Sequence, residues 1–359
     1  MTTLDDVAKF SGVSAMTVSR VINNKGAVSE KTRHRVLDAI QQLNYRPNLV
    51  ARGLATNRTN SIGVLVSYLE NPIYAVVVSG INKTAEKYGM NIILGSGQDE
   101  ESLLQSTNTL LNKQIDGLIV LPADIRRQDG KWSQLEAEAM LSFYRRFDRI
   151  AAEASGNGIP IVLMGDYAID HIAARVCEDY REGARMAVRY LHGQGHRRIG
   201  MVSHCIRDAG IWQERYQGFL EEMNALGCRV EEAWCESCLE KVDDAFQAGM
   251  RLFARRELPT ALYCANDVIA VGIENAAREC GLRVPDDLSV IGHDGSLYSE
   301  ISYPRLTTVS IRPFAIGCAC MEQIAAALRE EPENTAVQII KPEILPGQSV
   351  CRAAVPAVR

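Results

Sequence analysis

The sequence predicts an α/β protein with two doubly wound parallel-sheet lobes behind a small all-α N-terminal domain. Three observations carry this prediction. Apolar runs of strand length alternate with helical stretches over residues 61–164, and the alternation resumes after about 175. Before them, three short helical segments share one apolar face. Charge divides at the same place: residues 1–60 hold nine Lys/Arg against four Asp/Glu, a net +5, while the remainder carries −10. A chain of 359 residues with 47% hydrophobic content is long enough for two or three ordinary globular domains.

The elements follow in order. Thr3 caps a first helix whose first turn holds Asp5 and Asp6, where the positive end of the helix dipole favours acids. Leu4, Val7 and Ala8 are its apolar stripe. Gly12-Val-Ser14 breaks it, and Ser14 can cap a second helix. There Val18, Val21 and Ile22 face inward and Ala15, Met16, Thr17, Ser19 and Arg20 face outward. Two short helices joined by a Gly-containing turn, the second with a free outer face, make a helix-turn-helix, a device for reading DNA. Ser29 caps a third helix with Val36, Ile40 and Leu43 on its apolar side and Arg33, His34 and Arg35 on its polar side. A basic head on an acidic body is the charge pattern of a DNA-binding domain joined to a regulatory one, with contact confined to the head. The head is set at 1–46. Residues 47–60 read as a hinge, its short helix opened by Pro47, weakened by Gly53 and too short to be stable alone.

From Ser61 the strands are Ile62–Ser67, Asn91–Gly95, Gly117–Pro122 and Ile159–Met164, with helices over Ile73–Tyr88 and Glu101–Lys113. Later come helices over Gly183–His192, Glu214–Leu226, Asp243–Arg255 and Asp267–Cys280. The strands among them are Arg198–Ser203, Thr260–Cys264 and Leu288–Gly292. Alternation of this kind implies parallel sheets with right-handed crossovers, and two such runs imply two lobes with a cleft between them, over 61–359. Residues 123–157, with Phe143, Tyr144 and Phe147 on a helix, are longer than a usual connection; they either cover the first lobe or form a partner surface.

Several function classes are disfavoured. No apolar run has the length to span a bilayer and the start lacks the pattern of a secretory signal, so a cytoplasmic protein is expected. The ten cysteines are scattered, and Cys235-Glu-Ser-Cys238 has no second pair to complete a metal site; no metal and no cofactor are expected. Gly95-Ser-Gly97 resembles half of a dinucleotide loop, but Gln98-Asp-Glu100 follows and its carboxylates would repel a pyrophosphate. His192 and His196 suit a loop better than a metal pair. No nucleophile–base arrangement can be read, so an enzyme is not expected.

The chain resembles the lac repressor family of bacterial transcription regulators over essentially its whole length. The motifs are Asp6-Val-Ala, Gly12-Val-Ser, Thr17-Val-Ser-Arg-Val-Ile-Asn23, Asn44-Tyr-Arg-Pro-Asn48 and Ala51-Arg-Gly-Leu54. Further along are Gly195-His-Arg-Arg-Ile199, Arg215-Tyr-Gln-Gly-Phe219, Ala265-Asn-Asp267 and Val284-Pro-Asp-Asp-Leu-Ser-Val-Ile-Gly292. The resemblance implies that Ala15, Met16 and Arg20 meet base edges in the major groove and that Thr17 and Ser19 contact phosphates. It implies that Leu54 wedges into the minor groove from a hinge that folds only on DNA. It also implies an effector held in the cleft by Arg215, Asn266 and Asp294, with Trp212 and Tyr74 as apolar walls and Asp166 reaching from the first lobe. A charged fork, an amide and a carboxylate suit sugar hydroxyls. The run Gly292-His-Asp-Gly295 departs from the family's two consecutive acids. The expected function is therefore a homodimeric regulator on a near-palindromic operator, a repressor of a carbohydrate-use operon released by a sugar or sugar phosphate. The alternative is a regulator of the purine-repressor kind, whose ligand tightens DNA binding.

Overall fold

The structure, a computed structural model, describes residues 2–22, 26, 28–45, 58–67, 69, 71–122, 134–166, 169–204, 210–329 and 337–353, with the backbone alone for 134–140. The chain divides into two units, Met1–Thr59 and Asn60–Arg359.

The head holds helices α1 (Leu4–Ser11), α2 (Ala15–Ile22) and α3 (Glu30–Gln42). Thr3 and Asp6 form a reciprocal capping box, so two amide protons that the helix start leaves unpaired are both satisfied. Gly12 ends α1 at φ 63°, a left-handed conformation that costs a residue without Cβ nothing. Ser14 Oγ accepts from the Thr17 amide and starts α2; Ser29 does the same for α3 through Thr32. Val7, Ala8, Val18, Val21, Val36 and Ala39 are the buried core. Two residues differ from expectation. Ala15 leans against this core and Ile22 is only half-buried at its edge, because the stripe of an eight-residue helix covers little more than two turns. Residues 46–57, and with them most of the expected hinge, lie outside the described residues.

The body contains two six-stranded sheets. The first is ordered β11-β5-β4-β3-β1-β2, from strands β1 (Ser61–Val66), β2 (Asn91–Ser96), β3 (Gly117–Val120), β4 (Ile161–Met164), β5 (Ala174–Glu178) and β11 (Val337–Ile340). All its pairings are parallel. The second is ordered β12-β10-β9-β8-β6-β7, from β6 (Ile199–His204), β7 (Cys235–Cys238), β8 (Ala261–Cys264), β9 (Ser289–Asp294), β10 (Thr307–Ser310) and β12 (Glu343–Leu345). It is parallel except at its edge, where β12 runs antiparallel to β10. Central strands such as β3, β4 and β8 are buried at every residue, as helices on both faces require.

Helices α4 (Pro72–Lys87), α5 (Glu100–Asn112) and α6 (Gln134–Gly156) belong to the first lobe. The question left open for residues 123–157 is resolved for the described part. Phe143, Tyr144, Phe147, Ala151 and Ala154 on α6 are buried with Leu103, Leu110, Leu118 and Leu163, so this helix covers the first sheet. The second lobe carries α7 (Tyr180–Gly193), α8 (Gly210–Ala225), α9 (Val242–Phe253), α10 (Asp267–Glu279) and the short α11 (Leu297–Ile301). The sequence reading stops short of the last helix, α12 (Pro313–Leu328), and of β11. Both return to the first lobe, where Ile316, Cys320, Met321 and Ile324 complete the core around Val77 and Ile81.

Candidate effector site and DNA face

Parallel strands deliver their C-terminal ends to one edge of each sheet, and the loops there carry the chemistry. Glu178 closes β5 and Asp294 closes β9, while Arg215 sits in the second turn of α8. The three meet. Arg215 Nη2 donates to Glu178 Oε1 at 2.7 Å and to Asp294 Oδ1 at 2.9 Å, and Nη1 donates to the Ala265 carbonyl at 2.5 Å. Behind them His293 lies fully buried, with its Nδ1 2.7 Å from the Tyr263 hydroxyl and its Nε2 3.6 Å from Glu178 Oε2. The cluster is almost closed to solvent; the Asp294 side chain, 16% exposed, is its most open member.

Burial and pairing divide the charges. Burial works against Glu178, but Arg215 and His293 outweigh it and hold the carboxyl below its usual range. Burial also opposes the charge on Arg215, and the two carboxylates overcome that and keep it charged. His293 is pushed down to about 4, first by burial and then by Arg215, so its ring is neutral near pH 7. Burial raises Asp294 to about 6 against the pull of Arg215.

A second layer fixes this one. Asp267, at the start of α10, accepts from the Ser296 amide at 2.7 Å, the Ser296 hydroxyl at 2.9 Å and the Thr308 hydroxyl at 2.6 Å. It thereby clamps the turn after β9, in which Asp294 takes φ 107° and Gly295 φ 68°. Gly183 leaves room for the imidazole: a Cβ there would stand 2.7 Å from His293 Cε1.

The expected effector residues are distributed as follows. Arg215 and Asp294 are joined directly, and Trp212 is next to them, its ring 5.6 Å from the Arg215 guanidinium and stacked on His204 at 5.0 Å. Asn266 is fully buried. Its Oδ1 caps α10 by accepting from the Ile269 amide, and its Nδ2, like Arg215 Nε, has no hydrogen-bond partner among the described residues. Tyr74 lies in the first turn of α4, buried in the first-lobe core at 8% exposure, and Asp166 is exposed just beyond β4. Sequence reasoning missed Glu178, Tyr263 and Asp267 as parts of the cluster. His293 gave a signal, as a departure from the family pattern, and Asp267 another, as the last residue of the Ala265-Asn-Asp267 motif.

On the outer side of α2, the candidate DNA face, Met16 is 66% exposed and Arg20 is exposed as well. Thr17 shares a hydrogen bond with the Ser14 hydroxyl at 2.9 Å, and Ser19 and Ala15 are half-buried. Leu54 lies outside the described residues. Cys235 and Cys238 are free thiols on β7, and no metal-holding group of side chains occurs among the described residues. His196 is buried and bonded to Thr260 Oγ1 and the Cys351 carbonyl, a structural role. No helix among the described residues is long and apolar enough to cross a membrane.

Three family models match the chain. Bacterial regulatory proteins of the lacI family match residues 3–48. Periplasmic binding proteins and sugar binding domain of LacI family match 59–141, and a periplasmic binding protein-like domain matches 188–350. Among curated relatives, the HTH-type transcriptional repressor PurR of Pasteurella multocida (strain Pm70) is 32% identical over 352 residues, covering 98% of this chain and 99% of the relative. PurR of Vibrio cholerae serotype O1 is 31% identical over 352 residues, covering 98% of each. Among solved structures, the lac repressor dimer bound to operator and the anti-inducer ONPF matches with TM-score 0.77 at 25% identity, over 98% of this chain and 99% of that one. A complex of the transcriptional regulator CelR with cellobiose matches with TM-score 0.66 at 26% identity, over 97% and 100%.

Proposed function

The chain belongs to the lacI family of DNA-binding bacterial transcription regulators, and from that premise we propose that it is a repressor whose operator affinity is set by a small polyhydroxylated effector, a sugar in the first reading. The observation that carries this is the Glu178–Arg215–Asp294 cluster at the strand ends, with Trp212 beside it. Vicinal hydroxyls are both donors and acceptors. Asp294 accepts a hydrogen bond from one, the Asn266 amide donates a hydrogen bond to another, and Trp212 supplies apolar surface. The solved CelR relative carries cellobiose, which supports a sugar.

In the head, Arg20 and Met16 are proposed to face base edges, Arg20 through a bidentate contact to guanine and Met16 through a thymine methyl. Ala15, being half-buried, offers less reach, and Thr17 and Ser19 are assigned to phosphates. Leu54 keeps its proposed place in the minor groove. The partner for a twofold operator is a second copy of the chain. Val76 on α4, Phe314 on α12, and Leu297, Ile301 and Tyr303 on the second lobe are exposed apolar side chains that such a copy would cover. The proposed setting is the cytoplasm, where the operator lies.

A second reading has the ligand tighten operator binding, and the relatives named PurR favour it. Both signs follow from one linkage relation, since a ligand shifts DNA affinity by its differential affinity for the two body states. The experiment that decides is operator-binding titration on DNA upstream of the gene, with sugars, sugar phosphates and purines screened by thermal shift. A sugar that weakens DNA binding, and loses its effect in Arg215→Ala, supports induction. A purine that tightens binding replaces induction by corepression.

A further inference from the structure

The floor of the proposed site contains more carboxylate than cation. Arg215 brings one positive charge, and a single nitrogen, Nη2, is shared between Glu178 at 2.7 Å and Asp294 at 2.9 Å. His293, buried between Gly183 and Tyr263, adds none near neutral pH. Asp267 lies behind the Asp294 turn, and the charge of Asp294 raises its pKa further, after burial. The neighbouring arginines on α7 are engaged elsewhere: Arg181 binds Glu214 and Glu221, and Arg185 binds Glu221 and Glu182. Among the described residues no second cation is paired to the cluster.

Unpartnered buried atoms in the same place point to a ligand. Among the described residues Arg215 Nε and Asn266 Nδ2 are donors without an acceptor, whereas Glu178 Oε2 faces His293 Nε2 at 3.6 Å. A phosphate there would meet Arg215 already neutralised and two carboxylates in a low-dielectric setting, where an unpaired like charge is costly. A hydroxyl, amine or ring N–H would instead be attracted to Asp294, and a neutral oxygen would satisfy the idle donors.

Resting on the reading that this cluster is the effector site, we infer that the effector brings hydrogen-bond donors and no anionic group to the floor formed by Glu178, Arg215 and Asp294. The sugar is thus unphosphorylated, and under the second reading the ligand is a free base or nucleoside and not a nucleotide. Burial raises Asp294 to about 6 against the pull of Arg215, and the nearby charge of Glu178 adds a smaller push in the same direction.

The test uses the full-length protein and matched pairs: each sugar with its phosphate, each nucleoside with its monophosphate, and inorganic phosphate against sodium chloride at equal ionic strength. Binding is read by thermal shift and calorimetry. The uncharged member of a pair should bind at least tenfold more tightly, and inorganic phosphate should stabilise the wild type no more than chloride does. Glu178→Gln, or Asp294→Asn should the first fold poorly, should narrow the gap within a pair and admit phosphate. A phosphorylated member that binds more tightly, in a manner weakened by Trp212→Ala, overturns the charge rule and leaves the site standing. So does saturable stabilisation of the wild type by phosphate that Glu178→Gln does not increase. A ligand whose affinity is indifferent to both Trp212→Ala and Asp294→Asn lies elsewhere and overturns the site together with the rule.

Discussion

Glu274 shows how one misplaced charge can be read as a pH profile. It sits on α10 almost fully buried, with Oε1 unpartnered among the described residues, and burial raises its pKa to about 8 against an ordinary value of 4.5. The fold prefers the proton, whereas the unfolded chain releases it above about pH 4.5, so the contribution to stability is full at low pH and falls as pH rises to about 8. Glu274→Gln removes that loss. The variant should match the wild type in thermal midpoint near pH 4 and exceed it increasingly up to pH 8, where the gain is on the order of 4 kcal/mol. Unfolding curves across that range check it, and a gain independent of pH would refute it. In the head, Arg20→Ala should cost about 1–3 kcal/mol on the specific operator and relax selectivity at one base pair, while leaving non-specific binding nearly unchanged. Competition binding on an operator library measures both. The exposure of Arg20 and Met16 was legible because a helix-turn-helix leaves its outer face unused by packing. Glu178 was not: a lone Glu at the end of an unassigned strand has no periodicity to mark it. Its role exists only because the fold brings Arg215 and His293 to it from 37 and 115 residues away.

Elements with strong local periodicity were placed within a few residues, the predicted helix at Ile73–Tyr88 forming over Pro72–Lys87 and that at Asp267–Cys280 over Asp267–Glu279. The edge strands β7, β11 and β12 were not read, because they are only three or four residues long and their burial is partial. Helix α12 was missed for the opposite reason. Its run from Pro313 to Leu328 is apolar nearly all round, as befits a helix buried between α4 and the first sheet, so it presents no amphipathic contrast. That burial rests on two glycines. A Cβ on Gly317 would stand 2.0 Å from the Val77 carbonyl oxygen, and one on Gly80 would stand 2.2 Å from that of Phe314. The obstacle in each case is backbone, which cannot rotate away, so the helices must part. Gly317→Ala should therefore destabilise the body by about 3 kcal/mol or more. Gly156→Ala, at the end of α6 with nothing within 4 Å, should be neutral or slightly stabilising. Denaturant midpoints of the two variants test the contrast, and equal midpoints would remove the argument for glycine at the α4–α12 contact.

At the scale of the molecule, the two units differ in how the chain is divided among them. The head's core is made from residues 4–45 alone, whereas the cores of the body draw on the chain out of order. The chain builds β1 to β5 of the first sheet and crosses at Asp179 into α7 and the second. It returns through α12 to add β11, and crosses again to lay β12 and Ser349 against the second sheet. A cut between the units should thus be harmless to folding and a cut inside the body should not. Residues 60–359 expressed alone should unfold cooperatively, with the body's thermal midpoint within a few degrees of that in the full chain, and bind effector while losing the operator. A chain stopped after Ser310 keeps every strand of the two sheets except β11 and β12. It nevertheless lacks Ile316, Cys320, Met321 and Ile324, which leaves Val77, Ile81 and Ile119 facing water on the first lobe. Deleting the three large side chains among those lost would cost about 2–5 kcal/mol each, together as much as the whole margin of an ordinary domain. That fragment should be insoluble or lack a cooperative transition by calorimetry. If it melts cooperatively at the midpoint of the intact body, the first lobe does not depend on its returning segment and α12 is not part of its core.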